Sequence, residues 1–360
     1  MLPYYLLLLL PLITYGVFAF ILKNKPLANK LSLACFFSVL FLMLALRSDT
    51  VGIDVRGYEY YFHKIAATDW LNLYRCVDVE FGYILFNKII SSVTSEYQIF
   101  LAIVALITVL PVAFVYLKDT EYPDISIVLF INMSTFVLMF SGLRQAMAIS
   151  IGLIVYYIIS RKKGFIPILI SALLILLAAS FHLSALVLLL MYPMRYIKIS
   201  LKWLLFIVSP IYLFVFIFNK SILSLAMTVL PEKYAKYAIE STGSYTMIIL
   251  FTAFLVYCYI MEDPKKTTAI TSTLRNFLLL SLAVQLFAPI STVAMRFNYY
   301  YIIFLPLLIP KVINSCNEKY KFWAQLSHIA IVGFFTLYFF YTAHTGGDQL
   351  RIFPYVPFWG

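Results

Sequence analysis

Apolar runs long enough to cross a bilayer recur along the whole chain, and charge is confined to short clusters between them. A helical crossing needs about 20 apolar residues. In lipid every backbone polar group must find its partner within the protein, so such runs fold as packed helices. Composition agrees: of 360 residues, 63% are hydrophobic and 12% are charged, against about 25% charged in soluble domains. The runs fall at 3–22, 31–46, 96–117, 125–141, 143–160, 165–181, 183–194, 203–218, 245–261, 276–294, 297–312 and 323–342. They predict an all-α polytopic membrane protein with about twelve transmembrane or membrane-embedded helices, in a single transmembrane domain over 1–360. Long outer loops are expected at about 47–95 and 219–244. The first contains Phe81-Gly82-Tyr83-Ile84-Leu85-Phe86-Asn87-Lys88-Ile89-Ile90, whose spacing predicts a short amphipathic helix on the membrane surface.

The net charge of +11 does not point to nucleic acid, because the basic residues sit between apolar segments rather than on a soluble arm. Their distribution sets orientation instead. One set of alternate loops carries sixteen Lys and Arg against six Asp and Glu, and the other carries eleven against ten. The first set, which includes Lys23, Lys118, Arg161, Lys163, Arg195, Lys266, Arg275, Lys311 and Lys321, is expected in the cytoplasm, with both termini outside. The four cysteines (Cys35, Cys76, Cys258, Cys316) are scattered, which supports neither a disulfide framework nor a thiolate metal site.

Three apolar stretches each contain one charged or imidazole side chain near the middle. Arg144 lies between Asp124 and Arg161, His182 between Lys163 and Arg195, and Arg296 between Arg275 and Lys311. Each stretch is too long for one span, and flanks on the same side require an even number of crossings. Each is therefore a helical hairpin with a polar tip. Arms of about 15 to 18 residues reach roughly 23 to 27 Å, against a core of roughly 30 Å, so the tips stop at or just below the outer interface. Ionisable groups at such a depth need partners or a polar cavity. The neighbours Gln145, Ser180, Ser184, Asn298 and Tyr299 suit one. Snorkelling arginines and a structural histidine hydrogen bond are the plainer readings of each tip taken singly. The loop after the second run adds Arg47, Asp49, Asp54 and Tyr58, then Asp78, Glu80 and Tyr83. Carboxylates accept from hydroxyls and rings stack on pyranose faces, so this loop suits sugar recognition.

Several short motifs occur in order. They are Arg47 with Asp49 and Gly52-Ile53-Asp54, Tyr58, Glu80-Phe81-Gly82-Tyr83, Leu143-Arg144-Gln145-Ala146, Ser180-Phe181-His182-Leu183-Ser184-Ala185 and Arg296-Phe297. Together they resemble EpsG-like membrane proteins, grouped with the Wzy-type bacterial polysaccharide polymerases. Where those proteins usually carry Glu-Pro-Gly-Tyr this chain has Glu80-Phe81-Gly82-Tyr83, which keeps the carboxylate. The resemblance implies a metal-independent glycosyltransferase at the outer face of the bacterial cytoplasmic membrane. Its substrate would be oligosaccharide repeat units on undecaprenyl pyrophosphate, and a chain-length regulator protein is a candidate partner. Arg144 and Arg296 are expected to grip the pyrophosphate, with Arg47 as a third contact. His182 is expected as base or pyrophosphate donor, with Asp54 or Glu80 as the alternative base. Asp49, Tyr58, Gln145, Asn298 and Tyr299 are expected to line the substrate site. No cofactor is expected.

Two other classes compete. An ion-coupled transporter or flippase of polyprenyl-linked oligosaccharides would place carboxylates near the bilayer midplane, and here no Asp or Glu enters an apolar run beyond Glu96 at a helix edge. An O-antigen ligase would use the same chemistry with another acceptor. The orientation is directly testable. In a background without native cysteines, Thr50→Cys should react with an impermeant maleimide on intact cells, and Lys163→Cys only after permeabilisation; the reverse pattern would invert the topology.

Overall fold

The computed structural model describes residues 1–228, 245–345 and 350–360. Two compact units divide the chain, Met1–Leu186 with Ser327–Gly360, and Val187–Leu326. Among the described residues seven helices are long and apolar enough to cross a membrane, or nine if each of two bent pairs is one span. Phe165–Phe181, Leu183–Tyr196 and Thr246–Met261 are apolar but shorter. The polytopic all-α architecture expected from hydropathy holds; by length seven to nine of the described helices qualify as crossings, so the expected count of about twelve transmembrane or membrane-embedded helices is not confirmed.

In the first unit, α1 (Leu2–Leu22) and α2 (Lys25–Leu46) form a hairpin. Lys23 turns the chain in the left-handed region, and the Asn24 side chain accepts from Leu27 N, satisfying an orphan donor of α2. Ser32 donates to the Pro11 carbonyl and ties the two arms together. The loop after α2 then folds into α3 (Val55–Ala66), a 3-10 turn (Trp70–Arg75) and α4 (Phe81–Ser91). The predicted helix is present as α4, and α3 was not anticipated. A long span, α5 (Tyr97–Asp119), leads to α6 (Pro123–Asn132) and α7 (Ser134–Ser141), then α8 (Leu143–Arg161) and α9 (Phe165–Phe181).

The run read as one helix over 125–141 bends by 60° between α6 and α7. Its cause is Asn132, whose amide donates both to Val128 O and to Phe335 O of the C-terminal helix (Lys321–Thr345). A side chain that reaches for other carbonyls competes with the helix ladder, and Met133 is left extended.

Charges in the first unit sort to two ends. At one, Arg161 pairs with Asp119, which also accepts from Tyr156, and His328 lies 2.6 Å from Asp124. At the other, Arg144 pairs with Glu80, Ser141 bonds Asp54, and Ser48 bonds the C-terminal tail. The loops that meet at each end are those that alternate in the sequence, which supports the crossing pattern.

The second unit contains α10 (Met191–Tyr196), α11 (Ser209–Met227), α12 (Thr246–Met261), α13 (Ala269–Gln285), α14 (Thr292–Ile302) and α15 (Leu305–Asn314). Of the loop expected at 219–244, the start continues α11, and 229–244 lies outside the described residues. The α14–α15 bend of 43° precedes Pro306, which cannot continue a helix ladder. Polar groups inside this unit find partners. Glu262 pairs with Arg275 at 2.5 Å, and the Asn276 amide donates to Met194 O and Ile197 O.

What fixes the loop between α2 and α5 is an aromatic core. Tyr58, Phe62, Tyr83, Tyr97, Phe100, Leu143, Met147 and Phe181 pack together and draw α3, α4, α5, α8 and α9 into one body. Lys88 adds a polar clamp: its ammonium donates to Ala66 O (3.0 Å) and Thr68 O (2.7 Å) and lies 3.5 Å from Ile65 O. It thereby caps the C-terminus of α3 from α4, where positive charge also suits the helix dipole. Replacing Lys88→Met should cost about 1.5–3 kcal/mol, as for lost hydrogen bonds to a charged group. A thermal melt of the purified protein checks this, and an unchanged melting temperature would show the clamp to be idle.

Candidate active site

Four segments of the first unit supply the polar cluster, and glycines at 52, 82 and 142 set their close approaches. Between α7 and α8 the chain turns at Gly142, where a Cβ would lie 2.5 Å from Leu138 Cδ1. That turn puts Arg144 in the first turn of α8. A helix N-terminus favours anions, so a guanidinium there calls for a counter-charge. Glu80, the residue that opens α4, provides it: one carboxylate oxygen pairs with Arg144 Nη1. The other accepts from Leu183 N at 3.0 Å. Leu183 starts the 3-10 stretch Leu183–Leu190, so the carboxylate also satisfies a donor that has no partner within that helix.

His182 closes α9 with an extended backbone, and its Nδ1 lies 2.5 Å from Ser184 Oγ. The approach of α4 to this tip depends on Gly82, because a Cβ there would overlap the Ser180 side chain and carbonyl. Asp54 precedes α3 and accepts from Ser141 Oγ at 3.0 Å. Gly52 makes that possible: it adopts φ +106°, and a Cβ would overlap the Phe140 carbonyl.

Tyr58 hydrogen-bonds Arg144 beneath these groups; burial raises its pKa, and the nearby guanidinium opposes the rise. Tyr83 is fully buried, its ring centroid 5.9 Å from Arg144 Cζ and 5.8 Å from the Tyr58 ring. Burial pushes its phenol well above the usual range, which keeps it neutral. The structure therefore brings Asp54, Tyr58, Glu80, Arg144 and His182 into one neighbourhood. The Arg144 and Glu80 side chains are 22% and 23% exposed, so both stay within reach of a ligand.

The remaining expected site residues have these surroundings. Asp49 makes a surface pair with Arg56 at 2.7 Å. Arg47 is 1% exposed, donates to Leu44 O, and has its Cζ 5.7 Å from the Phe140 ring centroid. Burial brings its pKa down to about 10, which still leaves it charged at neutral pH. Gln145 is buried on α8. Arg296, Asn298 and Tyr299 lie on α14 in the second unit. Asn298 is buried there, accepting from Ser281 and donating to Gln285, and Arg296 is exposed.

Sequence reading missed the C-terminal tail. Ile53 N and Gly52 N donate to Leu350 O and Arg351 O, Ser48 N donates to Val356 O, and Phe358 N donates to Leu46 O. Tyr4 bonds Ile352 O and Tyr355 bonds Met43 O. The tail is thus a strap over the segment that carries Arg47 and Asp54. Its signal was the apolar, aromatic run Ile352-Phe353-Pro354-Tyr355-Val356-Pro357-Phe358-Trp359, too short to span and too apolar to be left in water.

Chemically, the cluster offers a cation at a helix N-terminus and two carboxylates, with His182 on the adjoining tip, enough to hold an anion and to accept a proton. Among the described residues no group of three or more His, Cys, Asp or Glu side chains is arranged to hold a metal ion.

Comparison with known proteins places this architecture. The model of the EpsG family matches residues 30–356, nearly the whole chain. No curated protein and no solved structure matches. The chain belongs to the EpsG family, which implies the role of a glycosyltransferase-like polysaccharide polymerase in a membrane.

Gly82 tests whether the α4–α9 contact matters to that role. Gly82→Ala forces α4 away from Ser180 at a cost of about 1–3 kcal/mol for overpacking. Polymer yield should fall at least tenfold while the protein still accumulates in membranes, and adding Ser180→Gly should restore part of it. Full activity in Gly82→Ala would show that the close approach is dispensable.

Proposed function

We propose that the protein joins undecaprenyl-pyrophosphate-linked oligosaccharide repeat units into a polysaccharide at the outer face of the bacterial cytoplasmic membrane. The observation that carries this is the pairing of Arg144, at a helix N-terminus, with Glu80, whose other oxygen accepts from Leu183 N beside His182 at one end of a membrane-spanning unit. A donor whose sugar leaves a pyrophosphate lipid needs this set: its tail remains in the bilayer while its headgroup reaches the polar tips.

In this mechanism Arg144 holds phosphate oxygens and stabilises the charge that develops as the glycosidic bond breaks. His182 donates a further hydrogen bond to the headgroup, and a carboxylate, Asp54 or Glu80, accepts the proton of the attacking hydroxyl. Tyr58 orients Arg144 from below. Arg47, enclosed by the tail strap, holds the segment that bears Asp54. The hydroxyl of one unit attacks the anomeric carbon of the other in a single displacement, so the linkage forms with inversion.

Replacing Arg144→Ala in polymer-producing cells and separating the glycans by length tests the reading. Removal of a transition-state charge partner should lower the rate by about 10²–10³. Single repeat units should accumulate at the outer face. Long lipid-linked chains with nothing attached would identify a ligase, units trapped inside a flippase, and an unchanged ladder would remove Arg144 from the site.

A further inference from the structure

We infer that Glu80 sits, in the resting protein, where the donor's pyrophosphate sits in the working one, and that the incoming headgroup displaces it and so delivers it as the base. This rests on the headgroup role of Arg144 proposed above.

Two observations lead here. The first is that the pair is incomplete. Glu80 meets Arg144 through Nη1, while Arg144 Nε is buried with no hydrogen-bond partner. A guanidinium is built for two parallel bonds to one oxyanion, and a buried donor left unmade is costly. A pyrophosphate carries more charge and more acceptor oxygens than the single carboxylate oxygen now on Nη1, so it competes well for the same guanidinium. The second is that Glu80 has another anchor. Its second oxygen accepts from Leu183 N, next to His182. Losing Arg144 therefore leaves the carboxylate tethered at the tip instead of adrift, and both side chains are open enough to exchange partners.

The cycle balances. The headgroup takes Arg144, and Glu80 is left as an uncompensated carboxylate, a better proton acceptor than a paired one. The acceptor hydroxyl oxygen forms a bond to the anomeric carbon. The bond from that carbon to the pyrophosphate oxygen breaks with its electron pair passing to the phosphate, and the hydroxyl proton passes to Glu80. Glu80 then gives the proton to water and re-pairs with Arg144, which helps to expel the polyprenyl pyrophosphate. The arrangement keeps the base masked until a donor is bound, which guards against activating water on an empty site.

The distinguishing measurement is headgroup affinity in a variant lacking the competing charge. Full-length protein in lipid nanodiscs is titrated with farnesyl pyrophosphate, with empty discs as the reference. Glu80→Gln should bind about tenfold tighter than wild type, since the amide leaves Arg144 without a competing negative charge. Its polymerisation rate should fall by about 10²–10⁴, as for loss of a general base. Weaker or unchanged binding in Glu80→Gln would overturn the exchange and make Glu80 a fixed positioning residue for Arg144. The headgroup reading fails separately: Arg144→Ala would then bind the probe as well as wild type does. Carbodiimide footprinting of the wild-type protein needs no variant. Glu80 should be modified faster with the probe bound, and slower or equal modification would also overturn the proposal.

Discussion

A single carboxylate joins three distant stretches of this chain. Glu80 bridges the first turn of α8 and the tip after α9, and it opens the short helix α4. Each contact answers a need that exists before any substrate is present. Arg144 at the positive end of a helix needs a negative charge, and Leu183 N has no partner within its own helix. In a partly buried setting an unpaired guanidinium is costly, so the segment 80–83 is drawn to the tips. Everything around it keeps that carboxylate in reach. Gly82 lets α4 touch α9, the aromatic core fixes α3 against α4, and Lys88 locks the far end of α3.

The same economy governs the loop on the other side of the cluster. Segment 47–54 has no regular structure of its own, yet its backbone groups are paired by the C-terminal strap and its Asp54 by Ser141. Irregular backbone near a membrane survives when protein, not lipid, satisfies its donors and acceptors. Arg47 belongs to this scaffolding. Burial, a carbonyl and an aromatic ring hold it, which explains why a charged residue of a shared motif sits where a headgroup has little to gain from it.

Much of this was legible in the sequence, for identifiable reasons. A lone Arg or His in the middle of a long apolar stretch marks a hairpin tip, because charge is excluded from the span on either side. That logic marked Arg144 and His182, while Glu80, which pairs with Arg144 and accepts from Leu183 N, came from the Glu-Phe-Gly-Tyr motif. Arg296 followed the same logic, but the chain turns at Leu286 and the 3-10 stretch Ala288–Ile290, so the residue lies inside α14. The bend at Met133 was hidden because it comes from the Asn132 amide finding a carbonyl more than 200 residues away. The strap was hidden likewise: its bonds join the tail to residues some 300 positions earlier, mostly through backbone groups that carry no side-chain signal. The bend before Pro306 did have a local signal, which an apolar run obscured.

The central claim is that the Arg144–Glu80–His182 cluster receives a pyrophosphate lipid. The most direct measurement is photo-crosslinking in native membranes, with a polyprenyl pyrophosphate carrying a photoreactive group beside its phosphates, followed by mapping of the labelled peptides. The account predicts label within residues 80–83, 142–145 and 181–184. Label confined to 119–124 or 161–164, at the opposite end of the first unit, would contradict it.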